Sequence, residues 1–443
     1  MAITELRVEG LRTLADVRLG LGELTVIIGT NGSGKSSLIE ACELLRKAPA
    51  PDFIKEFRRT HWGFSGLLRQ GASQLKLGVR IQEADEVLDY EFALADRAGS
   101  VAITEEKLTT GPSAQPNKEK VIWHRTESSV KMLRLDLDQY IELSGPQAAM
   151  ISAANRLIIN QAGNSENIER LVPQFPDLIP AGLILQILRK VSRALQSIEV
   201  HLPFEVLPLW GSRSFKRNSA LRDDNLLEPV ERLEPLGTNL ANVYYALRNE
   251  YGDAHWRETL ELVRLGLGDE VDDIRVVASP EGGKVTLRVK YRSLLQPIPS
   301  FALSDGTLAY LAWVAVYRVN RPTKPALLAI DEPELHLHPQ LLMRVLDFLQ
   351  SLGRESPVLL ATHSDRLLDA LPRPAQQAVL CELGPAQATK LWRPEAATLA
   401  RWLERYRGLG EIRMLRRRES RQQQPAASRG DDGVDLGRRL VLA

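Results

Sequence analysis

The chain has 443 residues, 44% hydrophobic and 26% charged, with a formal net charge of +1. That composition excludes a disordered or fibrous chain and leaves room for one large core or two smaller ones. The near-zero charge removes any global field that would draw nucleic acid or a membrane surface, so a basic binding face has to be local.

The opening MAITELRVEG has no basic flank ahead of an apolar core, and no apolar run approaches the roughly 20 residues that span a bilayer. The expectation is a soluble, cytoplasmic protein. Cys42 and Cys381 both sit in apolar sequence and read as buried reduced thiols; two cysteines make no disulfide framework and show no metal spacing.

In chain order, ITELRVEGL and the stretch from Asp16 to Ile28 read as strands, the second ending at Gly29. A helix opens at Gly34 and carries Leu38, Ile39, Cys42, Leu44 and Leu45 on its apolar side. From Leu75 to Leu143, short alternating runs broken by Gly, Pro and Asn predict an antiparallel meander. Between about residues 146 and 267 the period turns helical, as in AGLILQILRKVSRALQSI and NLANVYYALRNEY. A hairpin, DIRVVAS with KVTLRVKY, follows; then come a short helix, the apolar strand ALLAI and a last strand-helix unit. Alternating strands and helices predict an α/β core. No sustained heptads and no period of about 20 to 50 residues are present, which argues against long coiled-coil arms. The tail from Arg416 is charged and poor in apolar residues, so disorder is expected there. The domain reading is 1–145 (first α/β lobe, with the meander), 146–268 (helical lobe), 269–412 (second α/β lobe) and 413–443 (basic, polar tail).

Gly29, Thr30, Asn31, Gly32, Ser33, Gly34, Lys35 and Ser36 spell G-x-x-x-x-G-K-S between a strand and a helix, followed by Ser37. Glycines let backbone amides approach phosphate oxygens closely, and the helix N-terminus adds partial positive charge. Lys35 would reach the β and γ phosphates of ATP, and Ser36 would hold Mg²⁺. ALLAIDEPELHLHP ends an apolar strand on Asp331 and Glu332, where a buried parallel strand delivers both carboxylates to the phosphate crevice. Asp331 would serve Mg²⁺, and Glu332 would polarise the attacking water.

Ser304, Asp305, Gly306 and Thr307 precede a nearly all-apolar helix, and read either as an anion site or as an ordinary helix cap. A further strand, VLLATHSD, ends in Thr362, His363 and Ser364, from which His363 would donate to the γ-phosphate. His336 and His338 lack a third metal ligand of suitable spacing and read as a loop at a dimer interface.

Taken in order, GTNGSGKSS, LSDGT, LLAIDEPE and ATHSD resemble the Walker A, signature, Walker B and His-switch motifs of the ABC ATPases. ELRVEGLRTLADVRL and DEPELHLHP further resemble the RecF and SMC-like group, especially AAA family ATPases of bacteria. LEPLGTNLANVYYAL and WLERYRGLGEI are weaker similarities to the same group. The resemblance implies an ABC/SMC-head-like P-loop ATPase with a β-meander and an inserted helical lobe, using ATP and Mg²⁺. It implies a head-to-head homodimer or higher oligomer in which Ser304 and Gly306 contact the γ-phosphate held by the other subunit. It points to Gln147, with Gln139 as rival, as the Q-loop metal contact, and to Arg12 as a basic residue near the nucleotide, a surface arginine being the plain alternative.

The signature departs from the commonest pattern by placing Asp305 before Gly306, and an acid there must turn away from phosphate. Unlike the overcoming-lysogenisation-defect nucleases, which the ATPase part resembles, the chain carries no acidic cluster of a TOPRIM domain after His363. The expected role is a switch in DNA repair or anti-phage defence; the alternative is a scaffold that restrains a separately encoded nuclease or toxin. Basic segments at Lys55, Arg58 and Arg59 (with Trp62), at Arg213, Lys216 and Arg217, and at Arg416 to Arg418 read as DNA contacts or as solvated surface charge. A transporter subunit is disfavoured by the long insertion between Walker A and signature, and no membrane partner is expected.

Overall fold

The computed structural model describes residues 1–61, 64–114, 118–134, 139–145, 181–206, 221–278 and 283–395. β1 (Ala2–Leu11) and β2 (Leu14–Gly20) pair antiparallel. The run expected to continue to Ile28 breaks at residues 21–23, where the Gly22 N–H donates to Thr25 Oγ1 (3.1 Å), and β3 (Leu24–Gly29) enters a different sheet. Helices α1 (Lys35–Lys47) and α2 (Phe53–His61) follow. The alternating segment then forms β4 (Gln74–Glu83), β5 (Glu86–Arg97), β6 (Ser100–Pro112), β7 (Lys120–Thr126), β8 (Ser129–Arg134) and β9 (Gln139–Ser144). Each pairs antiparallel with the next, and β4 also pairs with β1, giving an eight-stranded sheet in the order β2-β1-β4-β5-β6-β7-β8-β9.

Beyond the meander come α3 (Ala181–Gln196), β10 (Glu199–His201), β11 (Asn225–Leu226), α4 (Leu240–Asn249), α5 (Asp253–Leu267) and the β12 (Val271–Ala278)–β13 (Lys284–Tyr291) hairpin. After β14 (Ile298–Pro299) the chain runs through α6 (Asp305–Arg318), β15 (Leu328–Asp331), α7 (Pro339–Gly353), β16 (Val358–Thr362), α8 (Asp365–Asp369), α9 (Pro374–Gln377), β17 (Ala378–Leu383) and β18 (Thr389–Trp392).

A six-stranded sheet in the order β10-β15-β16-β3-β17-β18 forms the centre, parallel except for β17–β18. Its buried strands feed two cores, because successive side chains of a strand point to opposite faces. Ile27, Ala329 and Leu359 face a core shared with the eight-stranded sheet, α1 and α3. Leu24, Val26, Ile28, Leu328 and Leu360 face a second core built with α4, α5, α6 and α7. The described helices between β9 and β12 therefore divide between the two cores: Leu188, Val191 and Leu195 of α3 enter the first, and Tyr244, Leu247 and Val263 of α4 and α5 enter the second. Helix α6 is buried from Leu308 to Val316 on all sides, as its apolar sequence demands.

At the sheet edge, Glu199 is clamped by Arg321 (2.7 and 2.9 Å), with His201 Nε2 at 3.7 Å. Burial alone would push the Glu199 carboxyl up, but the nearby His201 and the hydrogen bonds and charge of Arg321 outweigh it and hold it at about 2. Among the described residues no helix is long and apolar enough to cross a membrane.

Candidate nucleotide site

The carboxyl ends of the parallel strands are in register: Asp331 lies beside Ala361, Thr362 beside Ile28, and Cys381 beside Gly29. This is the edge at which open α/β sheets bind ligands. The loop from Gly29 to Gly34 leaves β3 there and turns into α1. Gly34 is left-handed (φ 106°), and a Cβ on it would stand 2.5 Å from Thr389 Oγ1 and 2.8 Å from Thr13 Oγ1; a Cβ on Gly29 would stand 2.2 Å from the Cys381 carbonyl oxygen. Glycine is therefore the residue these two positions accept.

The back of the loop is fastened to distant chain. Thr389 Oγ1 lies 2.8 Å from both Ser33 O and Thr13 Oγ1, and with one proton to give it donates to the carbonyl. Cys381 Sγ donates to the same oxygen (3.2 Å), and its thiol is pushed up by burial, in keeping with a reduced, unreactive cysteine. Lys35 is buried at 4% exposure, with Nζ donating to the Gly29 (3.2 Å) and Thr30 (2.9 Å) carbonyls. The Ser33 hydroxyl is buried and has no hydrogen-bond partner among the described residues.

Asp331 ends β15 buried, and its Oδ1 has no hydrogen-bond partner among the described residues. Burial pushes its carboxyl above the usual range, Glu332 adds to the rise, and the Ser36 hydroxyl and Lys35 oppose it. Glu332 is held left-handed (φ 47°) with its N–H on Ala361 O (2.8 Å), which brings Oε1 to 2.6 Å from His363 Nε2. The sequence reading missed Glu334: its Oε1 accepts from Thr362 Oγ1 and from the His363 N–H, each at 2.7 Å, and so fixes the loop that carries His363. The signal available was the second glutamate of DEPE, three residues beyond Asp331.

A cleft of about 470 Å³ is lined by Arg12, Thr13, Asn31, Gly32, Gly34, Lys35, Ser36, Ser37, Glu332 and His363. Arg12, left-handed at φ 48°, is drawn into it by Glu40 of α1, whose carboxylate lies 2.8 and 3.2 Å from the guanidinium. Burial raises the Glu40 carboxyl against the lowering effect of Arg12.

Ser304 and Gly306 do not line this cleft. Ser304 is exposed and caps α6, accepting from the Thr307 N–H (3.2 Å). A Cβ on Gly306 would stand 3.1 Å from the His336 carbonyl, which places the loop after β15 against the signature. Asp305 pairs with the buried Arg222. His338 Nδ1 caps α7, accepting from the Gln340 N–H at 3.4 Å.

Gln147, Trp62, Arg213, Lys216, Arg217, Arg416 to Arg418 and the segment WLERYRGLGEI lie outside the described residues. Gln139 is exposed on β9, the strand of the eight-stranded sheet farthest from β2, and does not reach the cleft. Lys55, Arg58 and Arg59 lie on α2, where Arg59 pairs with Glu56 (2.8 Å).

These residues fit a nucleotide and its metal. The glycine cradle and Lys35 suit phosphate oxygens. The Asp331 carboxylate, its Oδ1 unpartnered among the described residues, and the Ser36 hydroxyl bonded to that carboxylate supply hard oxygens of the kind Mg²⁺ takes while keeping most of its waters.

Residues 1–151 match the family described as "AAA ATPase domain", and residues 209–369 match the family described as "AAA domain, putative AbiEii toxin, Type IV TA system". No curated protein matches the chain. Similar solved structures include an SMC head bound to the C-terminal winged-helix domain of ScpA (13% identity, 90% of this chain and 100% of that one, TM-score 0.44). The SMC head domain from Thermotoga maritima is similar at 13% identity over 89% of this chain and 100% of that one (TM-score 0.42). A Pyrococcus furiosus Smc head with an extended coiled coil, bound to the C-terminal domain of ScpA, is similar at 13% identity over 92% and 99% (TM-score 0.43).

Proposed function

We propose, from the premise that the chain is an AAA-type P-loop ATPase, that it binds ATP with Mg²⁺ in the Lys35 cleft, hydrolyses it, and works as two copies closed head to head around two nucleotides. One observation carries the reading: Lys35, Ser36, Glu332 and His363 meet in one cleft with Asp331 at its edge, while Ser304 and Gly306 stand outside it. A phosphate group held in the cleft then lacks signature contacts unless a second copy provides them. Phe301 and Leu335, flanking the signature and the loop beside it, are exposed large apolar side chains of the kind an interface covers.

In this reading Lys35 leaves its loop carbonyls for the β and γ phosphates, and Arg12 adds positive charge from the side. Asp331 and Ser36 hold Mg²⁺, which neutralises phosphate charge when bound. Glu332 accepts a proton from water as that water's oxygen bonds to the γ-phosphorus and the bond to ADP breaks. His363, 2.6 Å from Glu332, orients it and donates toward the γ-phosphate. Closing and reopening would make the chain a switch in DNA repair or anti-phage defence, as the ATPases it resembles suggest. A second reading, a scaffold restraining a separate nuclease or toxin, is favoured by the family description over residues 209–369, which names a toxin of a toxin–antitoxin system.

The test is ATP turnover by wild type and Glu332→Gln with and without double-stranded DNA, with mass measured in solution. Turnover stimulated by DNA, and an ATP-trapped dimer of Glu332→Gln, are expected. Glu332→Gln turning over at the wild-type rate removes the general base from the reading. Turnover indifferent to DNA in a preformed oligomer favours the scaffold.

A further inference from the structure

The common signature has two glycines after its serine; here the first is Asp305. A carboxylate next to the serine that should meet a phosphate repels it, and such juxtapositions are strongly unfavourable once water is excluded. The fold brings a cation to that spot from 83 residues away. Arg222 is 3% exposed and pairs through Nη2 with Asp305 Oδ1. Its Nη1 donates to the carbonyls of Leu303 (2.8 Å), Phe301 (3.1 Å) and Ser300 (3.4 Å), and its Nε to that of Val206 (3.0 Å). The Ser300 hydroxyl returns a hydrogen bond to the Arg222 carbonyl (3.0 Å). A planar guanidinium with five N–H groups in a fixed fork is suited to gather acceptors converging from several directions, and a lysine is not.

Resting on the head-to-head reading above, we infer that Arg222 is the positioning residue of the signature. It neutralises Asp305 and locks the backbone from Ser300 to Asp305, so that Ser304 and Gly306 meet the phosphate held by the second copy. The pairing explains how an acid occupies this position: the Asp305 side chain is turned toward a buried cation, and the start of α6 keeps its affinity for an anion.

The experiment measures ATP-driven dimerisation by mass in solution over a range of salt concentrations. The chains, all carrying Glu332→Gln, are the parent, Arg222→Met, and Arg222→Met with Asp305→Gly, with ATP binding by the monomer as the folding control. Arg222→Met should weaken the ATP-driven dimer at least about tenfold, and Asp305→Gly in the same chain should restore the part of the loss that the bare carboxylate causes, because no acid is left to neutralise. A purely structural role for Arg222 would not be rescued by removing its partner, so a double variant as weak as the single one overturns the inference. So does an Arg222→Met chain that dimerises like its parent. A parent that stays monomeric with ATP overturns the head-to-head reading and the inference with it. Where Arg222→Met does not fold, Asp305→Asn in the intact chain carries the test. Leaving the Arg222 charge in excess should tighten the dimer at low salt and steepen its salt dependence, and a weaker or salt-indifferent dimer refutes the proposal.

Discussion

Two glycines of the phosphate loop offer a direct check on how the loop is held. Gly32 and Gly34 are both left-handed, at φ 74° and 106°, but a Cβ on Gly32 meets nothing within 4 Å while one on Gly34 meets Thr389 Oγ1 at 2.5 Å, Thr13 Oγ1 at 2.8 Å and Leu14 Cδ2 at 3.0 Å. Alanine at either position bears the left-handed penalty of about 1–2 kcal/mol. At Gly34 alone it also forces apart the pair of threonines that tie down Ser33, an overpacking cost of about 1–3 kcal/mol. Gly32→Ala should therefore destabilise by about 1–2 kcal/mol and Gly34→Ala by about 2–5 kcal/mol. The assay is thermal unfolding without nucleotide, so that contacts to phosphate do not enter, and Gly34→Ala should lower the transition clearly more than Gly32→Ala. Thr13→Ala, which removes one of the two hydroxyls the new Cβ meets and leaves the Thr389–Ser33 hydrogen bond in place, should recover part of the Gly34→Ala loss. Equal shifts for the two glycine variants would refute the claim that the β18 and β1–β2 threonines brace the loop.

Three further outcomes follow from the geometry. Glu334→Leu strands the Thr362 hydroxyl and the His363 N–H, each worth about 1–3 kcal/mol if left buried without a partner; kcat should fall with little change in nucleotide affinity, Glu334→Gln should retain more activity, and equal loss in both would place the effect elsewhere. The Asp331 carboxyl is raised by burial, so its contribution to apo stability is complete below the unfolded value and lost as pH rises through the folded one; Asp331→Asn should raise the apo melting temperature near neutral pH while removing the Mg²⁺ dependence of nucleotide binding, as read by calorimetry. Glu199, held at about 2 against an ordinary 4.5, contributes about 3 kcal/mol above pH 4.5 that fades as pH falls toward 2; Glu199→Gln should be less stable than wild type at pH 7, with a gap in denaturation midpoint that narrows in acid.

The chemistry visible in the sequence was the chemistry written in contiguous motifs at strand ends. Gly29 to Ser36, Asp331 with Glu332, and His363 each follow an apolar strand, and parallel pairing brings those ends together without further information. Arg12 carries no motif of its own, yet it lines the cleft, because a left-handed turn and Glu40 aim it there. Contacts made by residues far apart were not legible. Arg222 reaches Asp305 across 83 positions, and Thr389 reaches Ser33 across 356; neither distance leaves a local pattern. Helical periodicity announced α3, α4 and α5, but it is silent on which core a helix joins, and these helices separate. The break at residues 21–23 went unread because the turn closes through a threonine hydroxyl rather than a Pro-Gly or Asn-Gly signal.

The central position of β3 has a consequence for how the protein is made. Its two neighbours in the sheet, β16 and β17, begin at Val358 and Ala378, whereas β3 itself ends at Gly29. During synthesis the phosphate loop is made more than 300 residues before the strands that flank β3, and until they follow it has no lateral partners in the sheet. Until then its apolar strand LTVIIG is bare on both edges, a segment of the kind that pairs wrongly or recruits chaperones. Nascent chains and products cut short before β17 should therefore be unable to retain nucleotide, which confines ATP capture to molecules in which both flanking strands have been made.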